Sequence, residues 1–106
     1  METLVSRPEA NIGCIQIEND TMTPTFQVGS HVAVTPGDYE GDAVYAVRIE
    51  GVIQIKRIMW TPQGFRIISD NKAYPSYTMR RNEIVFIGRV SKPFNNLEFE
   101  TQQLTP

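Results

Sequence analysis

The chain is poor in the residues that staple small proteins. Its 106 residues contain one cysteine, Cys14, and one histidine, His31. One cysteine cannot close an intrachain disulfide, and the pair falls short of the three or four soft ligands of a zinc site, so no metal and no cofactor are expected. Cys14 lies in an apolar-polar run and is predicted to be a core thiol, in keeping with a reducing, cytoplasmic setting. A positive excess is also missing: ten basic against twelve acidic side chains leave a net charge of -2. That is the wrong balance for a domain that grips a phosphate backbone, so any DNA contact would be made by another segment. No uncharged apolar run approaches the roughly 20 residues of a membrane span. Residues 1 to 20 carry charges where a signal peptide would be apolar, and the chain reads as soluble, with no membrane partner. What remains, 41% apolar and 21% charged residues, is ordinary globular composition at one domain's length.

Periodicity is strand-like almost throughout. Cys14-Ile15-Gln16-Ile17-Glu18 alternates, and His31-Val32-Ala33-Val34 follows the turn Val28-Gly29-Ser30. Val44 to Ile49, then Glu50-Gly51, then Val52 to Ile58 spell a hairpin in which Gly51 supplies a positive φ. Pro62-Gln63-Gly64 turns into Phe65 to Ser69, and a last apolar run, Ile84 to Ile87, passes through Gly88 into Arg89-Val90. Short strands with turns every eight to twelve residues predict an all-β domain: a small sandwich or partly open barrel of mostly antiparallel strands with little helix. Its predicted extent is 14–93, between an N-terminal arm at 1–13 and a polar C-terminal tail at 94–106.

Two positions carry possible chemistry. In Asp20-Thr21-Met22-Thr23-Pro24-Thr25-Phe26 a hydroxyl residue follows a strand and precedes a proline-set turn. Such a junction projects a hydroxyl outward and aims successive amides at one spot, as an oxyanion hole requires; equally, Asp20 or Thr21 would serve as a plain turn cap. Lys56 stands inside a strand that otherwise wants apolar residues. Alternation puts Gln54, Lys56, Ile58 and Trp60 on one face and Ile53, Ile55, Arg57 and Met59 on the other. A lysine beside Ile58 would be partly desolvated and able to act as a general base; the plain alternative is a lysine whose stem packs while its head reaches water.

Taken in order, Asp20 to Phe26, Val28-Gly29-Ser30, Val32-Ala33-Val34, Gly41-Asp42, Ile55-Lys56-Arg57-Ile58, Ser69-Asp70-Asn71 and Gly88-Arg89-Val90 resemble the LexA and signal-peptidase superfamily. The usual pattern there is Gly-Asp-Ser-Met-x-Pro-Thr, x-x-Gly-Asp, an apolar strand and Lys-Arg. The resemblance is nearest to the C-terminal domains of LexA-like and phage repressors, which have a Ser-Lys self-cleaving peptidase fold. It implies a nucleophile position at Thr21, a general base at Lys56 and an oxyanion hole from the backbone amides of Asp20 and Thr21. Threonine replaces the family's serine, and its extra methyl stiffens χ1 and crowds the approach to a carbonyl. No Ala-Gly or Cys-Gly dipeptide of the kind these repressors cut occurs in the chain.

The resemblance therefore implies a regulatory and self-association domain whose dyad is degenerate. The alternatives are an active Thr-Lys autopeptidase of the same fold, or a signal-peptidase-like processing protein. The implied partners are a second copy of the chain, operator DNA reached only through an upstream helix-turn-helix domain, and an inducing protein. Ile84-Val85-Phe86-Ile87 is apolar on consecutive positions, so both its faces need cover, from this chain alone or partly from a second. A homodimer interface is expected at Ile84, Phe86, Arg89, Val90 and Pro93.

Overall fold

In the computed structural model the described residues are 13–94, so the expected arm and tail lie outside them except at Gly13 and Phe94. Seven strands form among them: β1 Gly13–Gln16, β2 His31–Pro36, β3 Ala43–Ile49, β4 Val52–Thr61, β5 Gly64–Ile68, β6 Tyr77–Met79 and β7 Val85–Phe94. They make one antiparallel sheet in the order β1-β2-β7-β3-β4-β5-β6, and it does not close. The all-β expectation holds. Helix is confined, among the described residues, to one 3-10 turn at Arg81–Glu83.

The β3–β4 hairpin forms where expected, its two linking residues both at positive φ, Glu50 at 53° and Gly51 at 83°. That pair suits the right-handed twist of the flanking strands. β7 enters the middle of the sheet between β2 and β3. Gly88 permits it, because a Cβ there would collide with the Thr35 carbonyl of β2.

Each face of the sheet buries its own apolar cluster. Ile17, Met22, Phe26, Val32, Val34, Val44, Ala46 and Val90 form one, with Ile55 packed on it; Tyr45, Val47, Ile49, Ile58, Phe65, Ile67 and Ile84 form the other. β3 supplies both by alternation, which explains its nearly unbroken apolar run. The loop joining β1 to β2 covers the first face through Met22 and Phe26. Tyr39 and Phe86 complete the second with edge-on aromatic contacts to Phe65 and Tyr45.

Two expectations change. Cys14 is exposed, because β1 ends the sheet and the cysteine points away from the cluster. β6 is a strand that alternation missed.

β7 also shows where the expected interface residues lie. Ile84 and Val90 are buried within this chain's own clusters and Phe86 is half-buried against the second. Arg89 is exposed, and Pro93 is paired through its backbone with Val32. The solvent-facing apolar member of the run is Val85, 56% exposed.

Candidate functional site

β4 is paired on both sides only at its centre. Arg57 and Ile58 lie between β3 and β5, Met59 to Thr61 meet β5 alone, and Val52 to Lys56 meets β3 alone. The free side of that first half and the residues from Ile15 to Met22 border one cavity of about 360 Å³. Thr21 and Lys56 both line it, with Asn19, Gln54 and the apolar Ile15, Ile17, Val52, Ile53 and Ile55. The walls are two strand segments with unpaired main-chain groups, an arrangement that accepts an extended segment by main-chain hydrogen bonding.

Lys56 projects on the face predicted for it, opposite Tyr45 in register and on the side of Ile58. It is 7% exposed, and burial pushes its amine below the ordinary lysine range. Nζ donates to Ser69 Oγ at 2.8 Å, a bond made possible because Ser69 follows β5 directly across from Lys56. Trp60, 60% exposed, takes no part in this burial.

Arg57 points to the other face, as alternation requires. Its Nε and Nη2 donate to Asp70 at 2.9 and 2.8 Å, and Thr25 Oγ1 donates to the same carboxylate at 2.5 Å. The guanidinium first, and the Thr25 hydroxyl after it, hold the Asp70 carboxyl below the usual range. Asn71 extends the clamp: its backbone N–H donates to the Thr21 carbonyl at 2.9 Å and Nδ2 to the Asp20 carbonyl at 2.9 Å. Tyr74 donates to Asp20 Oδ1 at 2.6 Å. Residues 69 to 74 thus fasten Lys56 by one end and the Thr21 loop by the other. Ser69, Asp70 and Asn71 lie within the sequence motif, but their partners are set by which strands become neighbours.

Thr21 is half-buried, and the two hydrogen bonds it donates are local. Its Oγ1 donates to Asn19 Oδ1 at 2.8 Å, and its backbone N–H donates to the same oxygen at 3.2 Å. No hydrogen bond joins Thr21 to Lys56 among the described residues. The motif therefore brings the expected nucleophile and base positions to one cavity, each engaged with a third residue: Asn19, which sequence reasoning did not single out, and Ser69, which it placed in the motif without a partner. Asn19 occupies the place where the family pattern has glycine. No group of three or more histidine, cysteine, aspartate or glutamate side chains fit to hold a metal ion occurs among the described residues. None of the described helices is long and apolar enough to cross a membrane.

A comparison with curated proteins gives no match. The family model for Peptidase S24-like domains matches residues 1–91, a span that includes Thr21 and Lys56, so the chain belongs to the Peptidase S24-like family, within the LexA and signal-peptidase superfamily.

Proposed function

We propose that this domain is the regulatory and self-association part of a LexA-like or phage-type transcriptional repressor, and that its peptidase dyad is silent. One observation carries the reading: both halves of the dyad are engaged elsewhere. A general base must accept the nucleophile's proton within hydrogen-bond reach. The Thr21 hydroxyl donates its hydrogen bond to Asn19 Oδ1 and Lys56 Nζ donates to Ser69 Oγ, so the two bond to third residues and not to each other. The threonine methyl adds a steric obstacle at the same atom. A silent dyad on a preserved scaffold leaves the scaffold's other role, pairing two chains so that two DNA-reading modules act together, where linkage raises effective concentration. Val52, Ile53 and Val85, each about half exposed, supply apolar surface for a second copy. DNA is contacted by a separate helix-turn-helix domain, since the charge of this one is unfavourable for it.

A second reading, an active Thr-Lys autopeptidase, draws support from the buried, depressed Lys56 amine on the shared cavity. Incubation of the full-length protein at alkaline pH, followed by intact-mass measurement, separates the two. Under the silent reading the mass stays whole over days; a cut upstream of Thr21 that Lys56→Ala abolishes would establish the second. Sedimentation across a concentration series tests self-association, and a monomer at hundreds of micromolar would refute that part.

A further inference from the structure

The geometry points to Asn19 as a built-in lock on the nucleophile, independent of the threonine methyl. This inference rests on the silent-dyad reading and names what enforces it. Asn19 Oδ1 accepts from both the Thr21 hydroxyl, at 2.8 Å, and the Thr21 backbone N–H, at 3.2 Å. Acyl transfer needs both groups for other purposes. The hydroxyl proton must pass to Lys56, and the amide must face the oxygen that becomes negative as the carbonyl is attacked. One carboxamide oxygen takes both at once, within a loop that Asn71 and Tyr74 hold in place from the other side.

Two separate obstacles at residue 21 should yield in a defined order, while the bond that Lys56 Nζ donates to Ser69 leaves the lone pair of the neutral amine free to accept a proton. Removal of the methyl alone, in Thr21→Ser, leaves Oγ and the amide bound to Asn19. Removal of the acceptor as well, in Asn19→Ala with Thr21→Ser, frees both. In the unlocked variant Oγ attacks the acyl carbon of an activated ester, its proton passes to the neutral Lys56 amine, and the leaving phenolate departs with the bonding electron pair, leaving an acyl ester on residue 21. An oxyanion-hole donor is worth on the order of a hundredfold in rate, which sets the gain expected from the second change.

The test uses p-nitrophenyl acetate as probe, with phenolate release and the mass of the acylated protein as readouts. Thr21→Ser should acylate slowly, and Asn19→Ala with Thr21→Ser about a hundredfold faster. Asn19→Asp with Thr21→Ser should stay at the slow rate, because aspartate keeps an acceptor oxygen in the same place. Lys56→Ala should erase the gain. Asn19→Gly with Thr21→Ser is the second unlocking variant, with the same expected rate. The amide resonance of Thr21 should shift in Asn19→Ala and stay near its original position in Asn19→Asp, a readout that does not depend on turnover. Equal rates for Thr21→Ser and both unlocking variants would overturn the lock while leaving the silent reading intact, as would equal rates for the alanine and aspartate variants. Wild-type acylation at the unlocked rate would instead overturn the silent reading itself.

Discussion

Lys56 and Thr21 line one cavity but are held there by different means. Lys56 belongs to a strand paired on both sides just beyond it, backed by Ile58 and Tyr45, neither of which is exposed to solvent. Its environment is hydrophobic and set by alternation. Thr21 belongs to a loop held by side-chain hydrogen bonds that Asn71 and Tyr74 donate and that Asn19 accepts. A base built into a sheet keeps its desolvation as long as the sheet folds, whereas a nucleophile on a loop is at the mercy of a single polar replacement. Under the proposed reading the lysine half keeps a depressed amine, whereas the threonine hydroxyl is turned to Asn19.

The contrast breaks most severely if its hydrophobic side is emptied. Ile58→Ala removes a fully buried side chain from the second cluster and should cost about 2–5 kcal/mol in chemical denaturation, releasing Lys56 from its dry surroundings. A loss below about 1 kcal/mol would show that the lysine side does not depend on that core.

The next largest effect concerns the clamp between the halves. Asp70→Ala removes the acceptor of three hydrogen bonds and leaves Arg57 without its partner, with side chains 13% and 40% exposed, so about 1–3 kcal/mol should be lost. Asp38→Ala severs an equally short pair with Arg81, but those side chains are 64% and 52% exposed, and the cost should stay under about 1 kcal/mol. Similar losses in the two variants would mean that burial does not decide the strength of these pairs.

Ser69→Ala sharpens the contrast more finely. It strips Lys56 of its hydroxyl partner without touching the Asn71 contacts, at a cost of about 1–2 kcal/mol. The ammonium form loses a hydrogen bond and the lysine pKa should fall further, which NMR of the Lys56 side chain would detect. An unchanged lysine titration would mean that the bond to Ser69 does not influence the base.

Smallest, and spread over pH, are the titrations. Asp70 is depressed in the fold, so its contribution is present above the ordinary value of 3.8 and is lost as pH falls through the folded value. Lys56 is also depressed: the unfolded chain holds the proton more tightly, and stability from this group rises with pH until the ordinary 10.5 is passed. Tyr39 acts in the opposite sense. Desolvation, then its hydrogen bond to Asp42, pushes its hydroxyl up to about 12, so its contribution is whole below 10.0 and lost as pH climbs toward the folded value. Tyr39→Phe should therefore flatten the alkaline fall in melting temperature, and an unaltered fall would assign it to another group.

How much of this is readable from the sequence varies by residue. The hairpin through Gly51 and the opposite facing of Lys56 and Arg57 follow from turn chemistry and alternation alone, and both are seen. Cys14 alternates like a core residue yet is exposed, because alternation assigns a face but does not say which strand ends the sheet. β6, three residues long and soon after a proline, is too short to show a period, and it forms because β5 offers it an edge. Asn19 escapes notice for a similar reason: an asparagine before Asp20 is unremarkable until the loop closes its carboxamide onto Thr21.

By itself, the sequence determined the all-β class, the strand that carries Lys56, the side to which that lysine points and the place of Thr21 at a turn. These follow from short-range stereochemistry, where a period of two residues or a glycine at positive φ is encoded within a few neighbours. The tertiary structure alone decided that the two meet at one cavity, that Ser69 and Asn19 take their hydrogen bonds, and that Ile84 and Val90 are spent inside the chain. Each of those facts is a contact whose partner lies on another strand or is brought in by a loop, and only closure of the chain fixes which groups become neighbours.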